Sequence, residues 1–234
     1  MVPVVSVQTM RESDAWTIEH EVPSLELMLR AARGIRDGVD WARGGPVGIL
    51  MGSGNNGGDG AALAMLLAQA GRDCVLYRIS EKTSPDSAFY LEKARALGVP
   101  VRPFAGHEAE IAACGMLVDC LLGTGFAGTV RGASRQAIQC INQARQAGAY
   151  VISADINSGL NGDTGEAELA VESDLTVSIG FFKAGMFRGD APRYIHRLVN
   201  ADIGIRLLRQ DFSLVEPGTT PGPGEIVRPD YCQL

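Results

Sequence analysis

The sequence predicts an α/β protein built on a mostly parallel sheet with helices on both faces. Three observations carry that prediction. Short apolar runs alternate with longer stretches of helical periodicity, the pattern of strand–helix–strand units. A glycine-rich segment, Met51-Gly-Ser-Gly-Asn-Asn-Gly-Gly-Asp-Gly60, stands between one such strand and one such helix. Two apolar runs carry an aspartate, Asp119 and Asp155, near their carboxyl ends, where open parallel sheets place their ligands.

Taken in order, residues 8–20 hold helix formers behind Ser6, and Val22-Pro23-Ser24 ends that segment. Ser24 can cap a second helix, with Leu25, Met28, Leu29, Ala32, Ile35 and Val39 on one face. Gly44-Gly45-Pro46 closes it, and Pro46–Met51 reads as the first sheet strand. Past the glycine turn, the spacing of Leu63, Leu66, Leu67 and Ala70 predicts a helix over 61–71, with Gly71 as its C-cap. Cys74–Ile79 reads as a strand. Ser84-Pro85 opens a helix to about Leu97, with proline at its first position. Val99–Pro103 is a short edge strand, since proline cannot donate to a ladder. Met116–Leu122 and Tyr150–Ile156 read as buried strands around a helix from about Arg135 to Gln146 that ends at Gly148. Leu175–Ile179 and Leu198–Gly204 complete the series. Residues 1–210 are thus expected to form one domain. Residues 211–234, which hold Pro217-Gly-Thr-Thr-Pro-Gly-Pro-Gly224, are expected to form a Pro/Gly-rich tail.

Composition narrows the function. At 234 residues the chain has room for one sizeable α/β domain. Hydrophobic residues make up 46 % and charged residues 21 %, which predicts a packed core. A net charge of −6 argues against broad nucleic-acid or anionic-membrane binding, which needs a basic surface. No apolar run approaches the ~20 residues that span a bilayer. Arg11, Glu12, Asp14, Glu19 and His20 interrupt any signal core in the first twenty positions. The five cysteines are odd in number and widely spaced, without a CxxC pair. That disfavours a disulfide framework or zinc site and suggests a cytoplasmic, reducing compartment.

The candidate chemistry sits at three strand ends. Five glycines between Gly52 and Gly60 permit positive φ and close approach to a ligand. The helix behind them offers unpaired N–H groups to a phosphate, and Asn55 and Asn56 add carbonyl oxygens suited to a hard cation or a ribose hydroxyl. Asp119 is followed by Gly123-Thr-Gly-Phe-Ala-Gly-Thr129. A carboxylate inside Leu117-Val-Asp-Cys-Leu-Leu122 is costly to bury unpaired. Either it caps loop amides, or it joins Asn56 and Ser158 as oxygen ligands of a cation. One formal charge among neutral oxygens favours K⁺ over Ca²⁺ or Mg²⁺. Asp155 either caps the turn at Ser158 and Gly159 or acts as a general acid/base with a pKa tuned by burial. Lys183 is either solvated or aimed at a phosphate or at Asp155. Asp163 and Asp174 read as turn and strand-start residues. His20, His107 and His196 are isolated and read as non-catalytic.

Together these stretches resemble the NAD(P)H-hydrate epimerase family, the YjeF N-terminal domains. Its GxGNNGGDG, D-x-x-x-GTG and DIPSG-x-x-x-x-TG elements appear as Gly52–Gly60, Asp119–Gly125 and Asp155–Gly165. Lys183–Gly185, Ala201–Ile205, and Met10-Arg11 with Leu27-Met28 match further elements, over roughly residues 6–206. The resemblance implies a Rossmann-like three-layer αβα sandwich and a homodimer. It also implies an isomerase acting on NADHX or NADPHX, the hydrated nicotinamide cofactors. By matching position, Asn55, Asn56, Gly57, Gly58 and Asp59 contact the hydrate, with Gly123, Thr124, Gly125, Phe126, Ala127, Gly128, Thr129 and Asp155. Asn56, Asp119 and Ser158 match potassium ligands. Asp155 and Lys183 are the expected catalytic groups. Two positions depart: Asn157 stands where the family has proline, and Leu29 where it has an acid. Many bacterial members carry a fused dehydratase domain; none follows here, so a separate dehydratase is an expected partner.

Two other readings compete. One is a non-catalytic binding scaffold of the same fold; the intact glycine segment and strand-end aspartates favour the enzyme. The other is an oxidoreductase using intact NAD, since Gly52-Ser-Gly-Asn-Asn-Gly57 matches GxGxxG. Against it, Glu81 is the one acidic candidate near the end of Cys74–Ile79 to hold a ribose.

Overall fold

The sequence's alternation resolves, in a computed structural model, into two sheets and the helices that cover them. The structure describes residues 1–209 and 212–215. In chain order, β1 (Val2–Val5) leads into α1 (Val7–His20) and α2 (Ser24–Gly38). β2 (Val47–Met51), α3 (Asn55–Gln69), β3 (Cys74–Arg78), α4 (Pro85–Ala96) and β4 (Val101–Pro103) follow. Next come α5 (Glu108–Ala112), β5 (Met116–Cys120), α6 (Gly132–Gln146) and β6 (Tyr150–Ala154). The described chain ends with β7 (Leu175–Ile179), β8 (Phe182–Lys183), α7 (Ala191–Tyr194), β9 (Leu198–Ala201) and β10 (Ser213–Val215).

The large sheet has the order β4-β3-β2-β5-β6-β7-β9 and is parallel throughout. Strand residues alternate between its faces. Val47, Ile49 and Met51 of β2 enter a core with α2, α3 and α4. Leu50, with Tyr77 and Leu117, packs against α5 and α6 on the other side. The result is the three-layer Rossmann-like sandwich. As expected, β4, with its proline, lies at an edge.

The ends of the elements differ from expectation in instructive ways. Pro23, not Ser24, occupies the N-cap of α2, and no side chain caps it. Proline fixes an extended backbone there, so Ser24 falls inside the first turn. The buried face of α2 centres on Leu27, Met28, Ala31, Ala32 and Ile35, leaving Leu29 half-buried. Helix α3 starts at Asn55, six residues before the first expected position, so half of the glycine segment is helical.

A second sheet, order β10-β1-β8, has no counterpart in the sequence reading. β1 runs antiparallel to β10 and parallel to β8, setting Val5 opposite Lys183. Its strands are two to four residues long. They cover an apolar cluster that includes Val4, Phe182, Met186, Tyr194 and Val215. The Pro/Gly segment 217–224 lies outside the described residues.

Candidate active site

The order of the large sheet reverses at β2: β3 and β4 lie to one side, β5 and β6 to the other. Beyond the carboxyl ends at that point, diverging loops leave a crevice. A cavity of about 500 Å³ opens there. The turn after β2, the loop after β5 and Asp155 after β6 form its floor, and α1 and α2 wall it.

The glycines at its base serve clearance, not left-handed backbone. None of the glycines from Gly52 to Gly60 has a positive φ. A Cβ on Gly57 would lie 2.2 Å from the Gly52 carbonyl oxygen, and one on Gly52 would lie 1.8 Å from that of Leu121. On Gly58 it would meet Met28 and Ser87 at 2.6 Å. The missing side chains let α3 start directly on the ends of β2 and β5. Its first N–H groups, from Asn55 onward, have no helical acceptor and point a partial positive charge toward the crevice.

Asp119 is fully buried at the end of β5. Its Oδ1 accepts from the Ser158 hydroxyl at 2.5 Å and from Leu121 N at 3.2 Å. Its Oδ2 accepts from Ser153 Oγ at 3.0 Å and Ser158 N at 2.9 Å. Burial pushes this carboxyl above its ordinary value, and the Ser158 bonds pull back toward the charged form. Asp119 therefore does cap loop amides, as one reading held. Beside it, Asn56 Nδ2 and Ser158 Oγ each lie 3.1 Å from Leu122 O. Asn56 Oδ1 is buried without a hydrogen-bond partner. An orphaned carbonyl oxygen beside a carboxylate, a hydroxyl and a main-chain carbonyl is a donor set that fits a monovalent cation. Among the described residues, no group of three or more His, Cys, Asp or Glu side chains is arranged to hold a metal ion.

Asp155 follows β6 with φ of 66°, the one non-glycine residue in the left-handed region among those described. Such a backbone costs roughly 1–3 kcal/mol and persists where the surroundings impose it. Here they do. Asp155 N donates to Val177 O at 2.8 Å, and Ile179 N donates to its Oδ1 at 3.3 Å. Lys183 Nζ forms an ion pair with the same oxygen. Lys183 is fully buried, and its ammonium also donates to Ile179 O at 2.9 Å and Ser178 Oγ at 3.3 Å. All three of its donors are used. The Asp155 side chain keeps 16 % of its exposure, toward the cavity.

Asn157, the departure from the family proline, is wholly buried. Its Nδ2 lies 2.8 Å from Val171 O, 3.0 Å from Ser173 Oγ and 2.9 Å from Tyr194 O. Its Oδ1 accepts from Thr176 Oγ1 at 2.6 Å. Side-chain bonds here hold the turn that a proline ring would stiffen.

Of the expected contact residues, Asn55, Asn56, Asp59, Gly123, Thr124, Gly125, Phe126 and Asp155 line the cavity. Gly57 and Gly58 are buried inside α3, and Ala127, Gly128 and Thr129 are exposed beyond the rim. Sequence reading missed Asp14 and Arg11 of α1, which also line it. The signal was present: Met10, Asp14 and Ile18 recur at i, i+4 and i+8 and all face the cavity.

The chain has relatives among known proteins in both sequence and fold. Residues 24–185 match the family model described as YjeF-related protein N-terminus. An NAD(P)H-hydrate epimerase of Limosilactobacillus fermentum is 32% identical, over 85% of this chain and 95% of its own length. The protein of the same name from Rhodopirellula baltica is 33% identical, over 89% and 88%. A bifunctional NAD(P)H-hydrate repair enzyme of Coxiella burnetii is 31% identical, and the match covers 40% of its length. Among solved structures, the yeast protein YNL200c superimposes with a TM-score of 0.72 at 18% identity, covering 89% of this chain and 96% of that one. That last likeness speaks to the fold.

Proposed function

Because the chain belongs to the family of YjeF-related N-terminal domains, we propose that it is an NAD(P)H-hydrate epimerase. It interconverts the R and S forms of hydrated NADH and NADPH in cofactor repair. The observation that carries this is Asp155: a carboxylate held in left-handed backbone, ion-paired to a buried lysine and open to the cavity.

The hydrate bears a hydroxyl on C6 of the reduced nicotinamide ring, beside the ring nitrogen. Protonation of that hydroxyl lets the nitrogen lone pair expel water and leaves a planar iminium. Water returning to either face gives either epimer. Asp155 faces the developing positive charge and exchanges the proton. Lys183 fixes its position. The free N–H groups of α3 suit the substrate's pyrophosphate. Asn56, Asp119 and Ser158 hold K⁺, with Leu122 O beside them; when bound, the ion neutralises charge and orders the two loops. The active form is a homodimer in the cytoplasm. No described helix is long and apolar enough to cross a membrane.

The test incubates the protein with one purified epimer of NADHX and separates R from S by chromatography. Interconversion is expected, and Asp155→Asn abolishes it while leaving nucleotide binding within about threefold, because the amide keeps the shape but exchanges no proton. Full activity in Asp155→Asn removes this residue from the chemistry.

A further inference from the structure

The reaction just described exchanges protons with a hydroxyl on either face of a planar ring, yet it assigns one carboxyl group to the task. That group, Asp155, is tied to Lys183. An ion-paired carboxylate serves well as a base and as a counter-charge to a cation, and poorly as the acid that must first protonate a departing hydroxyl. The cavity is lined by three further carboxyl groups with no such tie. Asp14 enters from α1, Asp59 from the second turn of α3, and Asp86 from the start of α4. None has a side-chain hydrogen bond or ion pair among the described residues, and of the three Asp14 and Asp59 feel the charge of Asp155.

Resting on the epimerase reading, we infer that Asp14 is a second acid/base residue of the site, which delivers the proton to the departing hydroxyl from the α1 wall and shares the proton exchange with Asp155. In the forward step the Asp14 carboxyl hydrogen passes to the C6 hydroxyl oxygen. The C6–O bond breaks, its electron pair leaves with water, and the nitrogen lone pair forms the C=N bond. In return, water adds to C6, the C=N pair goes back to nitrogen, and the released proton is taken up by Asp155 and passed back to restore the Asp14 carboxyl. No oxidant or further reactant is needed.

The surroundings of Asp14 favour this role. It is half-buried between α1 and the cavity. Facing it are Asp59 on α3, Asp155 past β6 and the Lys183 ammonium; Arg11 precedes it on α1, and Asp86 stands at the start of α4. Burial and then the Asp155 charge raise its carboxyl above the ordinary range, and Lys183 opposes them. A carboxyl group without a hydrogen-bonding partner, beside one tied to a buried lysine, is an arrangement that gives one site both an acid and a base.

Asp14→Asn and Asp14→Ala test this by epimerisation of purified NADHX, with kcat and KM followed against pH. Both variants are expected to lose about 100-fold or more in kcat with KM within about threefold, as for removal of a general acid. The alkaline limb of the parent's kcat profile, where the acid loses its proton, should vanish with it. Formate should restore turnover to Asp14→Ala in proportion to its concentration, and Asp14→Glu should retain part of the rate. If Asp14→Asn keeps kcat within threefold of a working parent, or if the loss lies wholly in KM, the inference is overturned and the epimerase reading stands. Should Asp14→Asn not fold, an Asp14→Ala variant that formate leaves inactive overturns it equally. A folded parent without epimerase activity overturns both.

Discussion

Replacing Asn157 with alanine measures how much the turn after Asp155 depends on one side chain. The Asn157 amide has two N–H groups facing three oxygens and one carbonyl receiving the Thr176 hydroxyl. That amounts to about three good hydrogen bonds, each worth ~1 kcal/mol net. Two partners keep other company. Tyr194 O still accepts from Ser173 N at 2.9 Å, and Thr176 Oγ1 remains 2.8 Å from Ser173 Oγ. The desolvation penalty therefore falls chiefly on Val171 O, roughly another 1 kcal/mol. The sum is about 3–4 kcal/mol, and at ~2–4 °C per kcal/mol for a chain of this size the melting temperature drops by roughly 6–16 °C. Asn157→Asp should fall further, since it sets a charge against the Val171 and Tyr194 carbonyl oxygens, which cannot donate to it. A thermal melt followed by circular dichroism reads both. A melting temperature within ~2 °C of the parent for Asn157→Ala would refute the reasoning, and the turn would then be held by its backbone alone.

Two further outcomes follow from the buried carboxyls. Potassium should raise the parent's melting temperature more than sodium does, and Asp119→Ala should abolish the difference; equal melting in both salts counts against the cation site. Burial, then the charges of Asp155 and Asp14, push the Asp59 carboxyl well above its ordinary value of 3.8. The folded chain thus binds a proton that the unfolded chain has released, and stability falls as pH rises from near 3.8 through the raised folded value. Asp59→Asn should flatten that decline and raise stability at neutral pH. Parallel denaturation midpoints for the two proteins across about pH 5–8 would show that Asp59 does not titrate with folding.

The layers of the fold were legible because buried parallel strands read as apolar runs, and Ser84-Pro85 or Gly71 mark helix ends locally. What was illegible depends on partners distant in sequence. β1 pairs with strands about 180 and 210 residues away, and its four residues carry no periodicity of their own. The glycine segment announced a special turn. Whether Gly57 supplies a positive φ or clears space for the Gly52 carbonyl is decided by the strand packed against it. Nothing local in the sequence chooses for Lys183 among solvent, a phosphate and Asp155, because 28 positions separate it from Asp155. Asn157 looked like a lost proline, since its partners lie at 171, 173, 176 and 194.

The missed sheet bears on the site more than its size suggests. Lys183 is fully buried, a position that is costly unless its ammonium is paired and its strand is fixed. β8, which carries it, is two residues long and lies against β1, with Val5 opposite Lys183. Two residues past β1, Val7 N donates to Asp163 Oδ1 at 2.7 Å, and Ser6 caps α1 through Thr9 N. One short strand thus fixes the lysine that holds Asp155 on one side and launches the helix that carries Asp14 on the other. The spacing between the two carboxyl groups is set by that strand, whose own stability comes from pairing at both edges. Backbone strain at Asp155 and a buried charge at Lys183 can then persist because the elements on either side are anchored before the cavity begins.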